Sequence, residues 1–357
     1  MSRAALSWIT LSCLGLYQVC FAFEFETCDK NNDYLEAKLK EAAPAQCIQN
    51  TLAFPEAPGS DSLQRPDSEI SCIATSMSRF SKSGAGYAYK KCPSWKSIPQ
   101  IADRPCLSAN YVRYMYDRFK NASRCVFHGS TITSKETFPL FALESGFHLN
   151  VTSGSGCRGI GQLSNIAVQE MDALDLADAE KCEKPYTRAS LYAHSECSGY
   201  EKNLTGQIPD HSKRLGECEV IAIPENPDAN LFYSLRLYRM LKDDKANSVI
   251  EKNISGFNSL GISSAEIENL KIQLARAMYN GGYPSIQATF NAFMKTVSSR
   301  SLTKTPKGET LWSLYQNYIY RRYPAKGEAR RREVRDYVSK IEKAKGQIEE
   351  RTGGSCF

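Results

Sequence analysis

Two short stretches carry the residue types that acid chemistry on a sugar requires. Glu144-Ser145 ends an apolar run, Phe138-Pro139-Leu140-Phe141-Ala142-Leu143, and a glycine-rich turn with a single glutamine, Gly159-Ile160-Gly161-Gln162-Leu163, comes after it. Cutting a glycosidic bond needs a proton delivered to the leaving oxygen, and a carboxylic acid supplies it when burial holds its pKa near the working pH. A glutamate closing an apolar helix sits where desolvation raises a carboxyl pKa. Gly159 and Gly161 permit backbone to approach a ligand closely, and Gln162 offers a sugar both a donor and an acceptor. Tyr279-Asn280-Gly281-Gly282 adds an amide at a helix C-terminus, where it can face a cleft. Each feature also has a plainer reading: a solvated helix-end glutamate, an ordinary turn, a C-cap.

The elements that would position these residues read as helices. Ser108 can cap a helix running through Tyr111, Tyr114, Met115 and Phe119. A second covers about Ser134 to Glu144, with Leu140, Leu143 and Phe147 on one side. A third runs from about Asp228 to Lys242 on an apolar face of Leu231, Leu235, Tyr238 and Leu241. The fourth has the clearest limits. Ser263-Ser264-Ala265-Glu266 is a capping box, Ile267, Leu270, Leu274 and Met278 follow at helical spacing, and Gly281-Gly282 stops it. A last, highly charged helix spans about Gly327 to Glu350, with Val334, Tyr337, Val338 and Ile341 as its inward stripe. No strand is comparably clear and no internal repeat exists, so the expected class is mainly α.

The 357 residues suffice for one large domain or two ordinary ones, and 42% hydrophobic content supports a packed core. A net charge of +6 suits an anionic polymer or surface and falls far short of a nucleic-acid signature. Residues 1–22 read as a signal peptide: Arg3, the mostly apolar Ala4 to Val19, then Cys20-Phe21-Ala22 at the cleavage site. Export follows, to a periplasm or the medium, without stable membrane insertion, since no later run is apolar enough to span a bilayer. Thirteen cysteines less Cys13 and Cys20 leave eleven, an odd number that in an exported protein implies disulfides and at least one unpaired thiol. No C-x-x-C pair occurs, and His128, His148, His194 and His211 lack ligand spacing, so neither a metal nor a cofactor is expected. Residues 23–105 form a cysteine-bearing region with a short helix at Tyr34 to Ala42, and two stretches interrupt the later helical order, Gln169 to Pro224 and Pro284 to Ala325.

The motifs, taken in order, resemble those of the soluble lytic transglycosylases, which share a lysozyme-like helical fold with goose-type lysozymes. Leu143-Glu144-Ser145-Gly146-Phe147 resembles their Glu-Ser motif, and Gly159-Ile160-Gly161-Gln162-Leu163 their Gly-Leu-Met-Gln motif. Asn230 to Leu241 resembles the Asn-Ile…Tyr-Leu helix, Ala277-Met278-Tyr279-Asn280-Gly281-Gly282 the Ala-Tyr-Asn-Ala-Gly motif, and Glu333-Val334-Arg335-Asp336-Tyr337-Val338 the closing Glu-Thr-x-x-Tyr-Val motif. The domain so defined spans about 106–345, with insertions at 169–224 and 284–325 and a tail at 346–357. The departures are Gly161 in place of the usual methionine and the two long spacers.

The resemblance implies a role for each matched position. Glu144 would be the acid and then the base. Ser145 would help orient the reacting sugar, and Gln162 with the backbone near Ile160 would hold the glycan. Tyr279 and Asn280 would line the cleft, and Tyr337 would approach Glu144. The implied substrate is peptidoglycan, cut at the MurNAc-GlcNAc β-1,4 bond. A transglycosylase needs one carboxyl: the muramic N-acetyl group assists, and the glutamate then takes the 6-hydroxyl proton to close a 1,6-anhydro ring. A lysozyme-type hydrolase usually needs a second carboxylate. After the glutamine turn the chain reads Ser164-Asn165-Ile166, with no acid before Glu170 and Asp172, which favours the transglycosylase, while Glu170, Asp172, Glu196 and Glu217 remain candidates. A wall trimmed of N-acetyl groups is a further candidate substrate. A non-catalytic wall-binding module is the rival from another class. Arg330-Arg331-Arg332 with Arg335 is either a solvated helix face or a contact for an anionic wall. No G-x-S-x-G elbow exists for a serine hydrolase.

Overall fold

The computed structural model describes residues 90–91, 106–107, 109–147, 153, 156–197, 213–216, 220, 223–224, 227–297, 302, 306–325 and 327–352. The leader, the helix expected at Tyr34 to Ala42 and the Ser108 cap lie outside the described residues. The described chain is mainly helical. Its extended structure is one parallel pairing of β1 (Lys90–Lys91) with β2 (Cys106–Leu107), Lys90 opposite Cys106, and an isolated antiparallel bridge between Arg158 and Leu163. Among the described residues no helix is long and apolar enough to cross a membrane. These residues divide into two compact units, one made of the chain up to Leu237 together with Ile341 onward, the other of Tyr238–Lys340.

In the first unit, α1 (Ala109–Val126) buries Met115, Phe119, Ala122 and Val126, an inward face at spacings of four, three and four residues. It lies against α2 (Ser134–Glu144), where Phe119 meets Phe138, Phe141 and Phe147 edge-on at 5.8, 5.8 and 5.6 Å between ring centroids. Cys125, buried at the end of α1, is bonded to Cys197 across 72 residues. Then come α3 (Asn165–Asp178), capped by Ser164, α4 (Arg188–Tyr192) and α5 (Pro227–Arg239).

Helix α3 falls partly in a stretch where the sequence pattern showed none, and its inner face says why. Asp172, Asp175 and Asp178 are all buried there. Asp175 pairs with Arg188 at 2.6 Å and with Arg236, Arg188 also reaches Asp172 at 3.1 Å, and Asp178 accepts from the Glu183 and Lys184 amides and Thr187 Oγ1. The apolar stripe begun by Ala167, Val168 and Met171 is continued by paired carboxylates, which cuts short the pattern that periodicity detects.

The second unit begins at Tyr238, and just after it the expected third helix changes its hydrogen-bond spacing: residues Met240–Ala246 form a π-helix. Short helices α6 (Asn247–Lys252) and α7 (Ile254–Leu260) lead to α8 (Ser264–Gly281), whose limits match the capping box and the glycine stop read from sequence. Gly282 takes a φ of 78° there. Helices α9 (Tyr283–Met294) and α10 (Lys307–Arg322) occupy the second interrupting stretch. They bury Ile286, Phe290 and Phe293 against Trp312, Tyr315 and Ile319, with Phe290 edge-on to Tyr315 at 4.8 Å. Glu266 serves two helices at once, closing the α8 capping box and accepting the Gly308 amide at 2.9 Å in the first turn of α10. The last helix, α11 (Glu328–Thr352), belongs to this unit through Lys340.

Candidate active site

Glu144 is the last residue of α2 and is half-buried. The helix ends there because Gly146 and Phe147 take left-handed φ values of 61° and 62°, while the Ser145 and Gly146 amides still donate to Phe141 and Ala142. Phe147 is fully buried, so packing against Phe119 and Phe138 holds it in a conformation that an aromatic residue rarely adopts. The acid therefore sits on a helix end fixed by an aromatic cluster.

The glutamine turn is a small hairpin. Arg158 and Leu163 exchange backbone hydrogen bonds of 3.1 and 3.0 Å, and the Gln162 amide donates to the Gly159 carbonyl at 3.1 Å. Gly159 and Gln162 both have positive φ, 72° and 51°. Gln162 is half-buried and folds back on the turn, its Nε2 donating to Gly159 O at 2.9 Å. Helix α3 starts directly behind the turn, and Asn165 accepts from Arg158 Nη2 at 2.8 Å.

The structure gives three of these positions partners within the protein. The glycines at 159 and 161, expected to leave room for a ligand, are approached by protein. A Cβ on Gly159 would lie 2.4 Å from Asn230 Nδ2, and one on Gly161 would lie 2.0 Å from Ser234 Oγ, so both glycines let the turn close onto α5. Ile160 is fully buried and its carbonyl accepts the Ser145 hydroxyl at 2.7 Å, so that oxygen is already engaged by protein. Ser145 is itself buried, and its hydroxyl donates to the turn. In the sequence Asn230 is marked only as the start of a helix that matches the family's. The structure makes it the residue on which the turn rests, since Nδ2 donates to Arg158 O and Pro224 O, and Oδ1 accepts from Gly161 N.

The candidates for a second carboxylate are placed as follows. Asp172 is buried among Arg188 and the Leu215 amide, and burial raises its carboxyl above the usual range. Glu196 is exposed and lies 3.4 Å from His128 Nδ1, and the His128 and His194 rings are 4.3 Å apart. Glu170 is half-buried on α3, and Glu217 lies outside the described residues. Of the cysteines, Cys182 carries an exposed free thiol. Among the described residues no group of three His, Cys, Asp or Glu is gathered to hold a metal ion.

Tyr279, Asn280 and Tyr337 belong to the second unit. Tyr279 and Tyr337 are buried and Asn280 is half-buried at the end of α8. Asn280 is tied to α11, donating from Nδ2 to Glu333 Oε1 at 3.2 Å while its carbonyl accepts from Arg330 at 2.6 Å. Tyr323 closes the same helix end by donating to the Gly281 carbonyl. Glu333 and Tyr337 are four residues apart on one face of α11. The basic run is largely internally paired: Arg330 with Glu333, Arg332 with Glu328, and Arg335 with Asp336.

Comparison with known protein families, with curated proteins and with solved structures gives no match.

Proposed function

We propose that the chain is an exported enzyme with a lysozyme-like helical domain that cleaves the MurNAc-GlcNAc β-1,4 bond of peptidoglycan. Glu144 is its acid and base, and it acts as a lytic transglycosylase leaving 1,6-anhydro ends. The observation that carries this reading is the Ser145 Oγ to Ile160 O hydrogen bond of 2.7 Å. It joins the residue beside the acid to the glutamine turn, so two motifs read separately in sequence form one built structure. Five motifs in family order support the same reading.

The single-carboxylate route is favoured by what surrounds the acidic candidates. Asp172 is committed to Arg188 and a backbone amide, and Glu196 sits on the exterior with His128. Glu144 protonates the glycosidic oxygen as the N-acetyl group closes on the anomeric carbon. The resulting carboxylate then removes the 6-hydroxyl proton as that oxygen attacks the anomeric carbon and displaces the N-acetyl oxygen, and no water enters the products.

The test is digestion of purified peptidoglycan, with fully acetylated and de-acetylated walls in parallel, followed by product mass analysis. Anhydro ends lack the one water that reducing ends contain, so transglycosylase and hydrolase products separate in one spectrum. Glu144→Gln lowers the rate by about 10²- to 10⁴-fold with the fold intact, the usual worth of a general acid. An unchanged function in that variant would establish the wall-binding module instead.

A further inference from the structure

Ile160 C=O and Gly161 N–H are the two ends of one peptide group, and each is gripped by a side chain from a different helix. Ser145, next to Glu144 at the end of α2, donates its hydroxyl to Ile160 O at 2.7 Å. On the other side, Gly161 N donates to Asn230 Oδ1 of α5 at 2.8 Å. Asn230 uses its amide protons on the same turn and its approach, donating to Arg158 O at 2.9 Å and Pro224 O at 2.8 Å. All four gripping and gripped residues are buried, Ser145 at 4%, Ile160 at 0% and Asn230 at 1% exposure, with Gly161 buried beside them. A peptide plane held at both ends cannot turn without breaking two bonds where no water replaces them. The residue it delivers is Gln162, set at a φ of 51°.

We infer that Ser145 and Asn230 are paired positioning residues: by clamping the 160–161 peptide between α2 and α5 they fix the aim of Gln162 and the placement of Glu144. This rests on the reading of Glu144 as the acid. Neither residue touches substrate, since their polar atoms are engaged by the turn. Their effect passes through geometry, and displacing a reacting group by about 1 Å costs on the order of 10²-fold in rate.

The two residues are expected to differ in what they control. Ser145 adjoins the acid, so Ser145→Ala lowers kcat by about 10-fold or more and leaves KM within about threefold, whereas Asn230→Ala frees the turn and shifts both constants. Ser145→Thr, which keeps the hydroxyl, retains kcat. Because both side chains hold one peptide, the double variant is no worse than the poorer single one.

The experiment measures kcat and KM on soluble peptidoglycan fragments, well below each variant's melting temperature, alongside hydrogen exchange of the Gly161 amide in the full chain. Exchange at Gly161 accelerates about 10-fold or more in Asn230→Ala. Unchanged exchange would show that no clamp exists. Faster exchange with both kinetic constants unmoved would reduce the clamp to a fold-stabilising contact and overturn the proposal, as would additive losses in the double variant. A wild-type chain that cleaves no glycan while Gly161 stays protected would overturn the acid reading, and the positioning role with it, and leave only the bonding geometry.

Discussion

Placing a methyl group at position 161 tests how closely the glutamine turn is seated on α5. A Cβ there would fall 2.0 Å from Ser234 Oγ, 2.5 Å from Ser234 Cβ and 3.0 Å from Phe141 Cε1. Rotating the Ser234 side chain removes the first clash. The second persists, because Ser234 Cβ is fixed to the helix backbone. Restoring an ordinary carbon–carbon contact of about 3.5 Å requires turn and helix to part by roughly 1 Å. That movement lengthens the Gly161 N to Asn230 Oδ1 bond, now 2.8 Å, past hydrogen-bonding range. Overpacking costs about 1–3 kcal/mol, and the lost bond about 1 kcal/mol more, so Gly161→Ala destabilises by about 3 kcal/mol. Ser234→Gly deletes both offending atoms. Alone it costs about 0.5 kcal/mol of helix propensity, and in the Gly161→Ala background it restores about half of the lost stability, a coupling of about 2 kcal/mol. Urea unfolding of the four chains followed by circular dichroism reads the cycle. A Gly161→Ala chain as stable as wild type, or costs that simply add, would show that the turn is not packed on Ser234.

Further perturbations have distinct signatures. Asp175→Asn leaves Arg188 and Arg236 as buried cations without their shared carboxylate, and costs about 3–5 kcal/mol, read by thermal melting. Ser263→Ala breaks the α8 capping box and costs about 1 kcal/mol in the same assay. Amide bonds from Gly308 and the Ser263 cap hold the Glu266 carboxyl down at about 2. A depressed folded pKa contributes stability above the unfolded value of 4.5 that is lost as pH falls towards 2. Melting curves of Glu266→Gln therefore lie below wild type at neutral pH and converge with it across that window, and parallel curves would refute the assignment.

Helix limits were legible wherever local chemistry marks them. The Ser263 box and the Gly281-Gly282 stop bound α8 in both sequence and structure, and Glu144 closes α2 as its apolar run implied. Helices α9 and α10 escaped notice although Ile286, Phe290 and Phe293, and Leu311, Tyr315 and Ile319, are helically spaced, because aromatic and basic residues suggested an insertion. Helix α3 escaped because the second half of its buried face, after Met171, is acidic. The partners that neutralise it, Arg188 and Arg236, come from distant positions that no local window contains. The same limit governs the site. Residue types at 144 and 162 suggest acid and amide, yet the duty of Ser145 is visible only once Ile160 stands beside it, and Gly161 is explained by Ser234, not by a ligand.

Asp172 tests the one-carboxylate route of the proposed enzyme. It was a candidate for the second one. In the structure its oxygens accept from Arg188 Nη2 and the Leu215 amide inside the first unit. Asp172→Asn keeps an oxygen for Leu215 and leaves Arg188 paired with Asp175, so its cost at neutral pH is milder than that of Asp175→Asn, about 1–2 kcal/mol. Burial raises the Asp172 carboxyl above 3.8, which means that the folded chain holds this proton more tightly than the unfolded one. Its contribution to stability is thus complete below pH 3.8 and is eroded as pH rises through the folded pKa. Asparagine does not titrate, so the deficit of the variant shrinks from acid towards neutral pH. A residue with this duty changes melting temperature and, in the proposed enzyme, leaves the glycan-cleaving rate within about threefold of wild type. A carboxylate that positions water or attacks the sugar costs on the order of 10²-fold or more when neutralised. A loss of that size in Asp172→Asn, measured below the melting transition and accompanied by reducing-end products, would replace the one-carboxylate mechanism with hydrolysis.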